Sequence, residues 1–204
     1  MPPEGLQLPG ASARLTRVTR LTTNQRDAIA QDLLTWFDAH RREMPWRETR
    51  DPYAIWVSEI MLQQTQVATV IPYYERFLAA FPTPAALAKA PEQRVLKLWE
   101  GLGYYSRARN LHKAAKHITR DHAGRLPETP EGLRSLPGIG RYTAGAIASI
   151  AFGLAEPVLD GNVMRVLSRL FDIHDVLQEA ATQKALWTLA EMLLPAGRPG
   201  DFNQ

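Results

Sequence analysis

An all-α fold is what the sequence predicts, and three observations carry that expectation. Apolar residues recur at helical spacing through most of the chain, N-cap and first-position proline signals punctuate them, and no segment shows a sustained period-two alternation. No internal repeat is visible, and the connecting stretches are short.

Taken in order, residues 1–22 hold Pro, Gly, Arg and Thr without periodicity and read as a disordered basic tail, with Arg14, Arg17 and Arg20 in it. Thr22 and Gln25 make a capping box, and Ile29, Leu33, Trp36 and Phe37 form the apolar stripe of the helix that it opens. Met44–Arg47 reads as a loop, and Asp51-Pro52 as an N-cap followed by proline at the first helical position. The helix that follows, YAIWVSEIMLQ, is apolar nearly all round, which predicts burial. The next helix, beyond Thr65, carries Val67, Val70, Tyr74, Phe77 and Phe81, with a kink or restart expected at Pro72.

Pro84 and Pro91 open two short helices, the second stopping near Gly101 and Gly103. Tyr105 to His122 is a helix with Ala108, Leu111, Ala115 and Ile118 inward, ended by Gly124. A Gly-rich connection, Leu136-Pro137-Gly138-Ile139-Gly140, joins a short helix to one running from about Tyr142 to Phe152. Gly145, Ala146, Ala148, Ser149 and Ala151 keep that helix slim. Helices over 162–171 and 178–194 follow, and Asp201 reads as the N-cap of one more, begun at Phe202.

With 204 residues, 45% of them hydrophobic, the chain can build a real core. A net charge of +3 permits nucleic-acid binding without demanding it. There is no cysteine, which excludes disulfides, thiolate metal ligands and a cysteine nucleophile among these residues. No apolar run reaches the roughly 18–20 residues of a membrane span, and the N-terminal residues lack the apolar core of a secretory signal. The expectation is a cytoplasmic protein, nucleoid-associated if bacterial.

Three features carry chemistry. Gly138 and Gly140 let the backbone turn tightly and leave amides at a helix N-terminus, where a phosphate can be held. A ligand-free helix connection is the alternative. Glu59 sits mid-helix, with Ile55 and Leu62 on its own side, so its charged form is disfavoured, as suits a general acid. A carboxyl satisfied by a structural partner is the alternative there. Asp160, before Gly161-Asn162, is an N-cap whose anion the helix terminus stabilises. A protonated acid and a fixed anion together suit hydrolysis at a sugar carbon.

Five blocks in order extend this reading: MPWR at Met44–Arg47, WVSEIMLQQTQV at Trp56–Val67, WEGLGYYSRARNLH at Trp99–His112, LPGIGRYTAGA at Leu136–Ala146 and VLDGNVMRVLSRL at Val158–Leu170. Over roughly residues 30–204 the chain resembles the helix-hairpin-helix DNA glycosylases, and among them the adenine DNA glycosylases of the MutY type. The resemblance implies two helical modules with the active site in the cleft between them. One would span 51–152, with its helix-hairpin-helix at about 130–152; the other would be discontinuous, from 23–50 and 153–204.

It also implies roles by position. Glu59 would protonate adenine, Asp160 would stabilise the cationic sugar and orient water, and Tyr142 would support that intermediate. Arg47, Leu62 and Gln204 would line the adenine pocket. Gln63, Gln64, Thr65, Tyr104, Gly138, Gly140, Arg141 and Asn162 would contact DNA, with Gln64, Thr65 and Tyr104 entering it around the opposite, damaged guanine. The related endonuclease III family has a lysine where Tyr142 stands. Without that amine no Schiff base forms, so base removal by water without efficient strand cutting is expected.

The partner so implied is duplex DNA carrying A:8-oxoguanine or A:G mispairs, bound by a monomer. Family members continue into a four-cysteine [4Fe-4S] loop and a domain that recognises 8-oxoguanine. Neither lies in these residues, so a shortened chain with an incomplete second module and an exposed apolar surface is the expectation. A DNA-binding fragment without catalysis, an endonuclease III-like glycosylase and a purely structural helical protein are the competing readings.

Overall fold

The computed structural model describes residues 21–204, which fall into two compact units, Arg42–Leu154 and a discontinuous one made of residues 21–41 together with Ala155–Gln204. Among the described residues every regular element is a helix. Met44 and Trp46 are buried in the Arg42–Leu154 unit. Trp46 meets Tyr74 edge-on at 5.4 Å, and a one-turn 3-10 helix (Pro45–Arg47) packs under the next helix.

The Arg42–Leu154 unit is built round α2 (Pro52–Leu62), which Asp51 caps through the Tyr53 amide at 3.0 Å. Every residue from Tyr53 to Ser58 is buried, as are Ile60 and Met61. Around α2 lie α3 (Val67–Ala80), α4 (Pro84–Lys89), α5 (Glu92–Trp99), α6 (Ser106–Asp121), α7 (Pro130–Arg134) and α8 (Arg141–Phe152). Helix α8 packs directly on α2, because Gly145, Ala146, Ala148 and Ser149 bring its axis close. Arg50 donates to the Ile150 carbonyl at 2.8 Å and so ties the end of α8 to the start of α2. Trp56, Trp99, Phe77 and Phe81 fill the centre with at most 1% exposure, and Phe77 meets both Phe81 and Trp99 edge-on.

Pro72 does not restart α3, which runs unbroken from Val67 to Ala80. The proline removes one hydrogen bond, to the Ala68 carbonyl, and both residues lie on the exposed side, where water can serve that oxygen.

In the other unit, α1 (Thr23–His40) begins at the capping box of Thr22 and Gln25 and packs on α10 (Ala180–Leu193) and α11 (Pro199–Asn203). Helix α9 (Gly161–Leu170) also packs on α10. Leu159, Leu167, Ile173, Leu186, Leu189 and Leu193 form an aliphatic core. The buried face of α1 keeps only part of the expected stripe: Phe37 is buried and Ile29 packs against the core. Ala30, Leu34 and Phe37 point inward, while Leu33 is 39% and Trp36 57% exposed. The two stripes adjoin on the same helix, and spacing alone does not choose between them. Nor does Asp201 cap a helix: α11 starts earlier, with Pro199 at its first position, and Asp201 accepts from Arg198 within the first turn at 2.8 Å. Arg198 also donates to Asp38 at 2.6 and 2.8 Å, joining α11 to α1. That guanidinium holds the Asp38 carboxyl below the usual range. The Arg-rich segment before Leu21 lies outside the described residues.

Candidate active site and nucleic-acid interface

The hairpin forms where the sequence places it. Thr129 caps α7 through the Gly132 amide, and Leu136 and Ile139 are buried beneath the turn. Gly138 has φ +79°, and a β-carbon there would stand 2.7 Å from Asn110 Cβ, so both conformation and space require glycine. Gly140 is different. Its φ of −88° suits any residue, and no heavy atom lies within 4 Å of where a Cβ would be. The tight turn rests on Gly138 alone, and Gly140 is the N-cap of α8 without a side chain to cap it. The first turn of α8, with exposed Arg141 and half-buried Tyr142, therefore lacks the built-in acceptor that other helices of this chain possess. Backbone amides at such an end, beside an arginine, suit a phosphate oxygen.

Helix α9 shows the opposite arrangement. Asp160 accepts from the Val163 amide at 2.8 Å through one oxygen and from Asn162 Nδ2 at 3.2 Å through the other. The carboxylate is thus an N-cap fixed in direction and only half-buried. Val158 and Leu159 anchor the preceding segment in the core, and Asn203 donates to the Glu156 carbonyl at 2.8 Å. Gln204 follows directly and is half-buried.

Glu59 lies in the penultimate turn of α2 and is half-buried among buried neighbours, while Leu62, also half-buried, is the last residue of that helix. Arg47 donates to the Arg42 carbonyl at 3.1 Å from the 3-10 turn. Gln63 ends α2 and makes a long contact of 3.5 Å to Thr143 in the first turn of α8. Exposed Gln64 has φ +56°, and Tyr104, 61% exposed, has φ +48°. Left-handed backbone at non-glycine residues costs about 1–3 kcal/mol each and persists only where surroundings enforce it. The structure thus gathers Gln63, Thr65 and Thr143 in one unit, while Asp160, Asn162 and Gln204 belong to the other.

Sequence reasoning missed the side chain that enforces those loops. Arg107 is 8% exposed. Its Nη1 donates to the carbonyls of Ile60, Met61 and Gln63, and its Nη2 to Thr65 Oγ1 and the carbonyls of Leu102 and Gly103. The guanidinium also lies 5.4 Å from the ring centroids of Trp99 and Tyr104. Burial pulls its pKa down, yet an arginine stays charged. No sequence signal marks it, since Arg107 begins an ordinary amphipathic helix.

A short helix and a slim one joined through a glycine turn, with every described element helical, define a helix-hairpin-helix protein. Residues 57–192 match the HhH-GPD superfamily of base excision DNA repair proteins, and the chain belongs to it. It is 49% identical over 186 residues to the adenine DNA glycosylase of Rattus norvegicus and 50% identical to that of Homo sapiens, in each case across 87% of this chain. Against the adenine DNA glycosylase of Buchnera aphidicola (Acyrthosiphon pisum) the identity is 42% over 177 residues. The chain spans 36%, 34% and 51% of those relatives' own lengths.

Among solved structures, a thermostable thymine-DNA glycosylase superposes with a TM-score of 0.79 at 33% identity, covering 88% of this chain and 83% of that one. An endonuclease III trapped covalently on DNA superposes with 0.71 at 23% identity, over 89% and 84%, and shows the shared fold alone. No described helix is long and apolar enough to cross a membrane, and no cluster of three or more His, Asp or Glu that could hold a metal occurs among the described residues.

Proposed function

We propose that this chain removes adenine mispaired with 8-oxoguanine or guanine from duplex DNA by hydrolysing its N-glycosidic bond, as a monomer. The observation that carries the reading is the identity of about half the aligned residues with adenine DNA glycosylases of two mammals. Adenine cannot be attacked within the stack, so it is flipped out at a cost of a few kcal/mol, least at a mismatch. Phosphates held at Gly138–Arg141 and by Asn162 position the duplex, while Gln63, Gln64, Thr65 and Tyr104 fill the space about the opposite base. Arg47, Leu62 and Gln204 receive the extruded adenine.

Glu59 then donates a proton to adenine, making it a neutral leaving group, a contribution of about 10²–10⁴ in rate. The glycosidic electron pair leaves with the base, and the sugar becomes an oxocarbenium-like cation. Asp160, an anion held in a fixed direction by the Val163 amide and Asn162, stabilises that cation and accepts a proton from the attacking water. Tyr142 supports the cation from the first turn of α8. It is no amine, so the product is an abasic site without efficient strand cutting. The chain has no cysteine, so a four-cysteine iron–sulfur cluster can take no ligand from these residues, and no step above runs through one. Such an enzyme works where DNA is, in the cytoplasm or at a bacterial nucleoid.

A single-turnover assay on A:8-oxoguanine and A:G duplexes, with T:G as comparator, tests the reading. Adenine release that Glu59→Gln abolishes, with duplex affinity retained, is expected. Thymine release in place of adenine would assign the chain to the other glycosylase type, and high-yield borohydride trapping on DNA would sink the monofunctional assignment.

A further inference from the structure

The two segments proposed to enter DNA are the turn from α2 to α3, with Gln64, and the loop from α5 to α6, with Tyr104. Each carries an exposed, non-glycine residue in left-handed backbone. What they share is one cation. Nη1 of Arg107 donates to the Ile60 and Met61 carbonyls at 3.0 and 2.9 Å and to that of Gln63. Nη2 donates to Thr65 Oγ1 at 3.2 Å and to the Leu102 and Gly103 carbonyls at 3.0 and 3.2 Å. Six neutral oxygens converge on one point, from both segments. Their dipoles repel one another unless a planar, multi-donor cation stands between them.

We propose that Arg107 is a positioning residue that makes Gln64 and Tyr104 one rigid wedge, so that both enter the duplex together and lower the cost of extruding the target base. The inference rests on the proposed function, in which those two residues enter DNA. Arg107 is too buried to serve as a DNA contact itself. A lysine keeps the charge but presents three donors from a single nitrogen, which cannot span both sets of oxygens. Losing the span frees both loops at once, including the one the substitution does not adjoin.

The test compares wild type with Arg107→Lys on two duplexes: A:G, where adenine must be unstacked, and adenine opposite an abasic analogue, where much of that cost is already met. In the variant, adenine release from A:G should fall about tenfold or more, and the 2-aminopurine unstacking signal on binding should fall with it, while both losses shrink to about threefold or less opposite the abasic analogue. Duplex affinity should hold within about threefold, since the hairpin phosphate grip is untouched. A fold-safe variant, Thr65→Val, removes one oxygen of the six. Amide exchange at 101–105, across the guanidinium from the change, should then speed up severalfold together with that at 63–66, with 136–140 unchanged.

Equal losses on both duplexes, no loss on either, or exchange in Thr65→Val that rises only at 63–66 would overturn the inference. Wild type inactive on every duplex is a different result: it would end the proposed function and this inference with it. Wild type active with Arg107→Lys unaffected would end the inference alone.

Discussion

The two units solve the same packing problem with different materials. The Arg42–Leu154 unit buries Trp56, Trp99, Phe77 and Phe81 essentially completely, linked by edge-on ring contacts and an arginine wedged among carbonyls. The other unit has a core of leucines, an isoleucine and alanines, with Phe171, Trp187 and Phe202 packed at its edge, and a surface carrying Trp36, Val166, Leu170 and Val176 at 50% exposure or more. Aromatic rings fix one another's orientation, whereas leucines pack with less directional preference. The first unit is therefore the one suited to hold strained loops and a glycine turn in place.

The largest expected effect follows from that contrast. Trp99→Ala removes a fully buried ring that meets Phe77, lies beside the Arg107 guanidinium and donates to the Gly103 carbonyl at 3.1 Å. A loss of about 3–5 kcal/mol is expected in chemical denaturation followed by helicity. Leu186→Ala, in the aliphatic core, should fall toward the lower part of the about 2–5 kcal/mol range, because smaller neighbours can relax into the space. Equal losses would break the comparison.

Next in size is a comparison inside the hairpin. Gly138→Ala must adopt φ +79° and place a methyl 2.7 Å from Asn110 Cβ, so a cost of about 1–3 kcal/mol and weaker duplex binding are expected. Gly140→Ala has ordinary φ and open space, and only the poorer N-cap propensity of alanine counts against it, so a smaller cost of about 0.5–1 kcal/mol is expected. Thermal melts and duplex titrations of the pair would show whether the turn depends on one glycine or two.

His112 gives the first unit a sensitivity to acid. Its ring is 1% exposed. Burial, aided by Lys116, pulls its pKa below the usual 6.5, and main-chain hydrogen bonds to Ala90 and Ala88 and the Glu92 carboxylate only partly offset this. The unfolded chain then binds the proton more readily than the folded one, so stability rises with pH between the depressed pKa and 6.5 and is lost as pH falls through that window. His112→Gln should flatten that part of the stability–pH curve. An unchanged curve would mean that another group dominates acid unfolding.

How far the sequence revealed all this depends on the kind of signal. Local chemistry was legible: Thr22 with Gln25, Asp51 with Pro52, the Gly138 turn and the Asp160 cap all form where the residue types place them. Those motifs are satisfied by neighbours within a few residues. Facts that need a partner far along the chain were not legible. Nothing near Arg107 announces that it serves carbonyls 44–47 residues away and a hydroxyl 42 residues away. The choice of Ala30 and Leu34 over Leu33 for the inward face of α1 was made by α10 and α11. Asp201 was misread because Pro199, two residues earlier, starts the helix and brings Arg198 within reach of it.

The smallest expected effect tests the surface side of the comparison. In the Arg42–Leu154 unit the most exposed large hydrophobic side chains are Tyr104 and Tyr105, whose hydroxyls tolerate water. In the other unit, Val166, Leu170 and Val176 expose 50–56% with no polar atom to offer. An apolar surface of this kind binds hydrophobic dyes and favours association, but a side chain already half in water adds little to folding. Replacing Val166 and Val176 by Thr and Leu170 by Gln should therefore change unfolding free energy by no more than about 0.5 kcal/mol per site. Dye fluorescence and the concentration dependence of sedimentation should both drop. A large stability loss instead would show that these side chains are packed in solution, and the contrast between the two surfaces would fail.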